Sequence, residues 1–168
     1  MLTALVDKIA HGRATPFELK VYYAWNERAW PQDVMRMLFV SNHDKNAWEG
    51  TEYEQFGPML DAAVVMSVVS EGIPMIYNGQ EVGDTTESGA PALFEKIPIF
   101  WSIDERRQEF PRFYKQIMAL RRSSNALRRG SVSLKLLSLQ SVICCSPCYR
   151  ASELHLCELA GGLEPPTC

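Results

Sequence analysis

No stretch of this sequence is apolar over the ~20 residues that a membrane-spanning helix needs, so we expect no membrane span. Neither sign of charge dominates: 17 basic residues face 20 acidic ones, for a net charge of −3. This balance gives no electrostatic basis for nucleic-acid binding. The opening residues, MLTALVDK, lack the basic and then apolar pattern of a signal peptide, and the sequence leaves the cellular location unknown.

Cysteine is absent from residues 1–143, and all five cysteines fall between positions 144 and 168. Cys145 and Cys148 have a spacing found in zinc and redox sites, but no second pair follows and His155 stands at the wrong distance. We therefore expect no metal site. The alternation typical of strands is also absent here, so residues 131–168 are predicted to be an unpatterned tail. This tail is either foreign to the fold, as from a shifted reading frame, or a degenerate small domain.

A short apolar run, Met-Leu-Phe-Val at 37–40, ends abruptly in Ser-Asn-His-Asp at 41–44. The run is too short for a helix and does not alternate, which is typical of a strand buried on both faces. Polar side chains at the carboxyl end of such a strand are where α/β enzymes place their chemistry.

A second unit of the same kind follows. A polar loop at 45–54 leads into an apolar helix at about 55–71, which Gly72 ends as a favoured residue after a helix. The next apolar run, 73–77, ends in Asn-Gly-Gln-Glu. The pattern predicts parallel strands at 35–41 and 73–77 in one βαβ unit, with Asp44 and Asn78 on the same side.

Helices are predicted on either side of this unit. One lies within residues 1–14 and is ended by Gly12, and another begins at the capping box of Thr15 and Glu18 and runs to about Ala29. A second capping box begins at Ser102, and the helix after Pro111 is expected to bury Phe113, Ile117 and Leu120. The basic residues clustered at 106–129 form either an anion-binding face or, as we favour, the wet side of this helix.

Two segments carry a resemblance to a known family. The stretches FVSNHD at 39–44 and GIPMIYNGQE at 72–81 resemble the seventh and eighth strands of an α-amylase-type barrel, glycoside hydrolase family 13. The similarity continues through Phe94-Glu95-Lys96 and Trp101-Ser102 to FYKQIMALRR at 113–122, which resembles the closing helix. It covers residues 15–130. A complete (β/α)8 barrel takes about 250 residues. The resemblance therefore implies that residues 1–130 are the C-terminal part of a TIM barrel.

The resemblance also implies roles for individual residues. Retaining glycosidases use a nucleophile and an acid/base carboxylate about 5 Å apart, and in the family these lie at the ends of the fourth and fifth strands, outside this chain. Asp44 matches the third catalytic carboxylate, which binds sugar hydroxyls and helps to distort the ring; the alternative is that it caps a loop. His43 matches a donor to the same sugar. Trp48 either stacks on a sugar or anchors the loop. Tyr77 and Glu81 are expected to be structural.

Three functions remain open for the whole protein. The first is an α-amylase-type glycoside hydrolase acting on α-glucans such as starch, of which this chain is a part without activity alone. The second is a glucan-chain transferase, and the third is a non-catalytic carbohydrate-binding relative. No cofactor is identifiable in this chain. Calcium is common in the full-length family, but the resemblance places its usual ligands outside this sequence. One departure is Phe100, where many family members have Asp before the tryptophan.

Overall fold

The computed structural model describes residues 2–31, 34–84, 93–101, 108–136 and 143–148, with residues 131–136 and 143–148 described by their backbone. Eleven α-helices and β-strands lie in these ranges, besides 3-10 turns at Gly57–Met59 and Gln80–Val82. They are α1 (Leu2–Ala10), α2 (Pro16–Ala29), β1 (Met37–Leu38), α3 (His43–Trp48), α4 (Glu52–Phe56), α5 (Leu60–Val69), β2 (Ile73–Pro74), α6 (Phe110–Ser123), α7 (Asn125–Arg129), β3 (Ser131–Leu136) and β4 (Ile143–Cys148). No described helix is long and apolar enough to cross a membrane.

The start of α2 follows the predicted capping box. The backbone N–H of Thr15 donates to Glu18 Oε2 at 2.9 Å, and Pro16 occupies the first turn, where a missing N–H costs little. The helix ends at Ala29, as predicted, because Trp30 is extended. The preceding helix, α1, ends at Ala10, close to the predicted stop at Gly12, which has a φ of +66°.

The predicted parallel pairing is confirmed. Met37 faces Ile73 and Leu38 faces Pro74 in parallel register. The N–H groups of Ile73 and Met75 donate to the carbonyls of Arg36 and Leu38 at 2.8 and 2.7 Å. Pro74 lies between these two donors, so its missing N–H costs this ladder no hydrogen bond. The ladder is shorter than the predicted strands at 35–41 and 73–77.

The connection between the strands differs from the prediction. The polar segment at 45–54, predicted to be a loop, contains most of α3 and the start of α4. The single helix predicted at 55–71 is instead α4, a 3-10 turn at Gly57–Met59, and α5. The break falls where Gly57 has a φ of +49° and Pro58 lacks the N–H that a continuous helix requires.

The side chain of Arg121, on α6, binds the carboxyl end of α5. Its guanidinium donates to the backbone carbonyls of Val68, Ser70 and Gly72, and the side chain is buried. The prediction that the basic residues of α6 face water is wrong for Arg121, because the last carbonyls of α5 need donors and this cation supplies them. Burial lowers the pKa of Arg121, which reflects the cost of desolvating a charge.

The main core lies between α1, α2, α4, α5, α6 and β1. Its most buried members include Val40, Phe56, Leu60, Val64 and Phe110. A smaller cluster joins the end of α5 to α6 and α7. In α6, Ile117 is buried as predicted, whereas Phe113 and Leu120 are only partly buried. Phe110 and Tyr114 of the same helix are buried instead.

Residues after 130 form structure that the sequence pattern did not predict. β3 and β4 pair antiparallel, from Ser131 opposite Cys148 to Leu136 opposite Ile143. The prediction that this region contains no strands is therefore wrong for these two segments. The capping box at Ser102 and the tail residues His155, Cys157 and Cys168 lie outside the described residues.

Candidate functional site

The segment Asn42-His43-Asp44 lies directly after β1 and begins the short helix α3. Asn42 is extended, and its side chain accepts a hydrogen bond from the N–H of Lys45 at 2.8 Å. Asn42 is therefore the capping residue of α3. Asn42 thus fills the capping role that was the alternative explanation for Asp44. His43 and Asp44 occupy the first turn of the helix.

His43 and Asp44 are both exposed. Their side chains are 62% and 65% accessible, and His43 Nε2 lies 3.6 Å from Asp44 Oδ2. An exposed pair of this kind contributes about 0.2–1 kcal/mol at most, and only when the histidine is protonated. This pair is therefore a weak contributor to stability, and both side chains are accessible to a ligand.

Lys45 fixes α3 against α4. Its side chain is buried, and its ammonium donates to Glu49 and, at 3.4 Å, to Gln55 Oε1. Gln55 in turn donates to the carbonyl of Gly50 at 2.6 Å. A buried ammonium is costly unless it is paired, so these contacts favour one orientation of α3. Because His43 and Asp44 directly precede Lys45, the same contacts fix their position.

Trp48 is four residues beyond Asp44 on α3. Residues at this spacing lie on the same face of a helix, one turn apart, and the Trp48 side chain is exposed. A tryptophan that anchors a loop against the core would be buried. Its exposure therefore favours the interpretation that the ring is accessible beside Asp44.

A separate hydrogen-bond network holds the segment that follows β2. Gln80 is buried; its side chain accepts a hydrogen bond from the N–H of Tyr77 at 3.2 Å and donates to the hydroxyl of Tyr114. Tyr77 is half-buried and Asn78 is exposed. Since β1 and β2 are parallel, Asn78 and Asp44 both follow the carboxyl end of a strand, as predicted.

Sequence reasoning missed the residues that support this site. Lys45, Gln55, Gln80 and Tyr114 were not singled out, although they hold the segments after β1 and β2. A signal existed for α4, since Thr51 and Glu54 form a capping box in the segment predicted to be a loop. Gln80 lies within the GIPMIYNGQE segment, but no local signal marks its contact with Tyr114, which is distant in sequence.

The described residues contain no group of three or more His, Cys, Asp or Glu side chains that could hold a metal ion. The described residues therefore do not fit the calcium site that is common in the family this chain resembles.

Asp84 makes a structural contact, since its Oδ2 accepts a hydrogen bond from the N–H of Phe100 at 3.3 Å. This bond ties the segment at 93–101 to the region after β2.

The fold aligns with parts of larger TIM-barrel enzymes. A cyclomaltodextrinase matches 92% of this chain with a TM-score of 0.69 and 20% identity, over 26% of its own length. A cyclomaltodextrin glucanotransferase matches 89% of this chain with a TM-score of 0.68 and 19% identity, over 30% of its length. The structure thus has the fold of a portion of these TIM-barrel enzymes.

Sequence comparison points to the same family. Alpha-amylase 2 of Dictyoglomus thermophilum is 33% identical over 112 residues, which cover 62% of this chain and 19% of that protein. The chain thus spans about a fifth of the length of this curated relative. No protein-family model matches the sequence. The sequence similarity supports a relationship to the α-amylase-type enzymes, glycoside hydrolase family 13, and the structural similarities show a shared fold.

Proposed function

We propose that residues 1–130 are the C-terminal part of an α-amylase-type catalytic barrel, with β1 and β2 as its seventh and eighth strands. The whole protein is then a retaining glycoside hydrolase that acts on α-glucans or their oligosaccharides. The observation that carries this proposal is the position of His43 and Asp44, exposed together after the carboxyl end of a strand in a parallel pair. Residues 131–168 are proposed not to belong to this barrel.

Asp44 is proposed to act on the sugar at the cleavage point. An ionised carboxylate makes stronger hydrogen bonds to hydroxyls than a neutral group does. Such bonds to the 2-OH tighten as the ring approaches an oxocarbenium-like transition state, and contribute several kcal/mol of stabilisation. Because this stabilisation exists mainly in the transition state, it raises the rate rather than the affinity.

His43 and Trp48 are proposed to bind the same sugar. The imidazole Nε2 of His43 lies close enough to Asp44 Oδ2 for both groups to reach neighbouring hydroxyls of one ring. The exposed indole of Trp48, one turn along the same face of α3, supplies an apolar surface for the face of a sugar. Lys45 positions all three through its buried contacts with α4.

The chain by itself is proposed to be inactive. Retention requires a nucleophile and an acid/base carboxylate about 5 Å apart, and the family places both on strands that this chain does not supply. Asp44 alone can bind and distort a sugar, but it can neither form the glycosyl intermediate nor protonate the leaving group. The similarity to a cyclomaltodextrin glucanotransferase supports chain transfer as a second candidate, since the same Asp and His serve both reactions.

Activity measurements on two proteins test this proposal. The first is this chain, purified and incubated with starch. The second is a chimera in which residues 15–130 replace the matching segment of the Dictyoglomus alpha-amylase 2. We expect reducing sugar to be released by the chimera and not by the chain alone. Hydrolysis by the chain alone, retained after repurification, would contradict the proposal, as would a folded chimera without activity.

A further inference from the structure

The chain continues in buried form beyond the ladder that joins β1 to β2. The last ladder bond runs from the N–H of Met75 to the carbonyl of Leu38. The next three residues, 39–41, are buried. Within the described part of the chain, no backbone hydrogen bond joins residues 39–41 to another segment. Because these residues directly precede Asn42-His43-Asp44, the contacts that hold them also set where the site segment leaves the sheet.

Helix α1 contacts this segment through Thr3. The Thr3 hydroxyl donates to the carbonyl of Phe39 at 2.5 Å, and the Thr3 side chain is buried. In an extended chain, successive carbonyls point to opposite edges. The Leu38 carbonyl accepts from β2, so the Phe39 carbonyl faces the other edge. The end of β1 is therefore held from both edges, by β2 on one side and by α1 on the other.

The position of Thr3 is itself fixed by the core. Leu2 and Val6 lie one turn apart on α1, and both are buried in the same core as Val40. Close-packed cores transmit a displacement rather than absorb it. The Thr3 hydroxyl is thus presented to the end of β1 from a rigid support.

We infer that Thr3 is a positioning residue for the candidate site. Its hydrogen bond to the Phe39 carbonyl fixes the end of β1 and, through it, the placement of His43 and Asp44. The inference rests on the proposed function for the chemistry of these two side chains, but the placement itself is a property of this chain. A reacting group that is misplaced by about 1 Å can lose about 100-fold in rate, so a remote support of this kind affects the reaction.

Hydrogen exchange in the complete 168-residue chain tests the placement without substrate. The N–H of Lys45 donates to the Asn42 side chain at 2.8 Å, so its exchange reports the geometry at the start of α3. Thr3→Val keeps the shape of the side chain and removes the hydroxyl. We expect exchange at the Lys45 amide to become about tenfold faster. Exchange at the Ser70 amide, which donates to the Met66 carbonyl at the end of α5, should not change.

Two further variants separate positioning from general destabilisation. Thr3→Ser retains a hydroxyl and should restore slow exchange at Lys45. Ser67→Ala removes a second buried hydroxyl, which lines the same small cavity as Thr3 but donates to the Val64 carbonyl of its own helix. This control should leave exchange at Lys45 unchanged. Circular dichroism establishes that each variant folds as the parent chain does.

Kinetics measure the consequence for the reaction. The protein is a chimera that carries residues 2–130 of this chain, so that α1 is included, in the Dictyoglomus alpha-amylase 2. Thr3→Val should lower kcat about tenfold and leave KM within about twofold, because the placement of Asp44 acts mainly in the transition state. Thr3→Ser and Ser67→Ala should keep the kcat of the parent chimera.

Three outcomes of the exchange measurement would overturn the inference. They are unchanged exchange at Lys45 in Thr3→Val, equal acceleration at Lys45 and Ser70, and an equal effect of Ser67→Ala. Failure of the proposed function is distinguishable from these. A folded parent chimera without activity would refute the proposed function, whereas an active chimera whose kcat is unaffected by Thr3→Val would refute this inference alone.

Discussion

Met37 and Ile73 are direct partners in the parallel ladder, and their side chains are 55% and 51% exposed. The residue after Met37, Leu38, is buried. Because successive strand residues point to opposite faces, one face of this two-stranded sheet is covered and the other is open. Parallel sheets are normally covered on both faces. The open face agrees with the proposal that this chain is part of a larger barrel.

Arg121 should be essential for the stability of the junction between α5 and β2. Arg121→Met removes the donor that three backbone carbonyls share, those of Val68, Ser70 and Gly72. We expect the free energy of unfolding to fall by about 3 kcal/mol, because buried acceptors are left unsatisfied. Denaturation in urea measures the change.

The matched control for this variant is the neighbouring residue. Arg122 is exposed on the same helix, so Arg122→Met should change the free energy of unfolding by less than about 0.5 kcal/mol. Equal effects of the two substitutions would contradict the role assigned to Arg121.

Gly72 should be intolerant of any side chain. It has a φ of +143°, and an added Cβ would lie 2.3 Å from the carbonyl oxygen of Arg36. This carbonyl accepts the ladder bond from Ile73 and cannot move without breaking it. We expect Gly72→Ala to lower the free energy of unfolding by more than about 3 kcal/mol, which combines backbone strain with the loss of pairing.

Gly57 provides a control for backbone strain without a clash. Its φ is +49°, and nothing lies within 4 Å of an added Cβ. Gly57→Ala should therefore cost about 1–3 kcal/mol, the penalty of a backbone conformation (φ +49°, ψ −129°) that residues with a Cβ rarely adopt. Thermal unfolding of both variants is the measurement. Gly57→Ala should be the less costly substitution unless the close approach of an added Cβ at Gly72 to the Arg36 carbonyl adds nothing to the cost of Gly72→Ala. A cost for Gly57→Ala equal to or above that for Gly72→Ala would therefore contradict the role of this close approach.

The capping box of α4 should make stability depend on pH. The hydrogen bond from the Thr51 N–H, followed by that from its hydroxyl, holds the pKa of Glu54 below its ordinary value of 4.5. A carboxylate with a lowered pKa in the folded state stabilises the protein above its ordinary pKa. This stabilisation is lost as the pH falls through the lowered value.

Comparison of the parent with Glu54→Gln isolates this contribution. We expect the parent to be the more stable of the two near neutral pH, and the difference to shrink as the pH is lowered from about 7 to about 3. Urea denaturation at several pH values measures it. A difference in the free energy of unfolding that stays constant over this pH range would show that ionised Glu54 does not stabilise the capping box of α4.

Short sequence patterns predicted those parts of the fold that depend on interactions between residues close together in the sequence. The capping box at Thr15 and Glu18 gave the start of α2, and the two apolar runs gave a parallel pair. The same capping signature at Thr51 and Glu54 was overlooked because the surrounding segment is polar.

Other features depend on partners that are distant in sequence. Arg121 resembles its neighbours on α6, and its burial follows from carbonyls about 50 residues away, at separations of 53, 51 and 49 positions. At the site, the sequence resemblance selected His43 and Asp44, and the position of Trp48 four residues beyond Asp44 selected the third residue. It could not show that Lys45 is buried, because that depends on how α4 packs.

The central claim is that Asp44 stabilises the transition state of glycoside cleavage, and kinetics of the active chimera test it most directly. Asp44→Asn should lower kcat about 100-fold, equivalent to roughly 3 kcal/mol, with little change in the Kd for an unreacted maltooligosaccharide. Glu71→Gln, which removes an exposed carboxylate just before β2, should leave both values unchanged. A kcat for Asp44→Asn equal to that of Glu71→Gln would contradict the account.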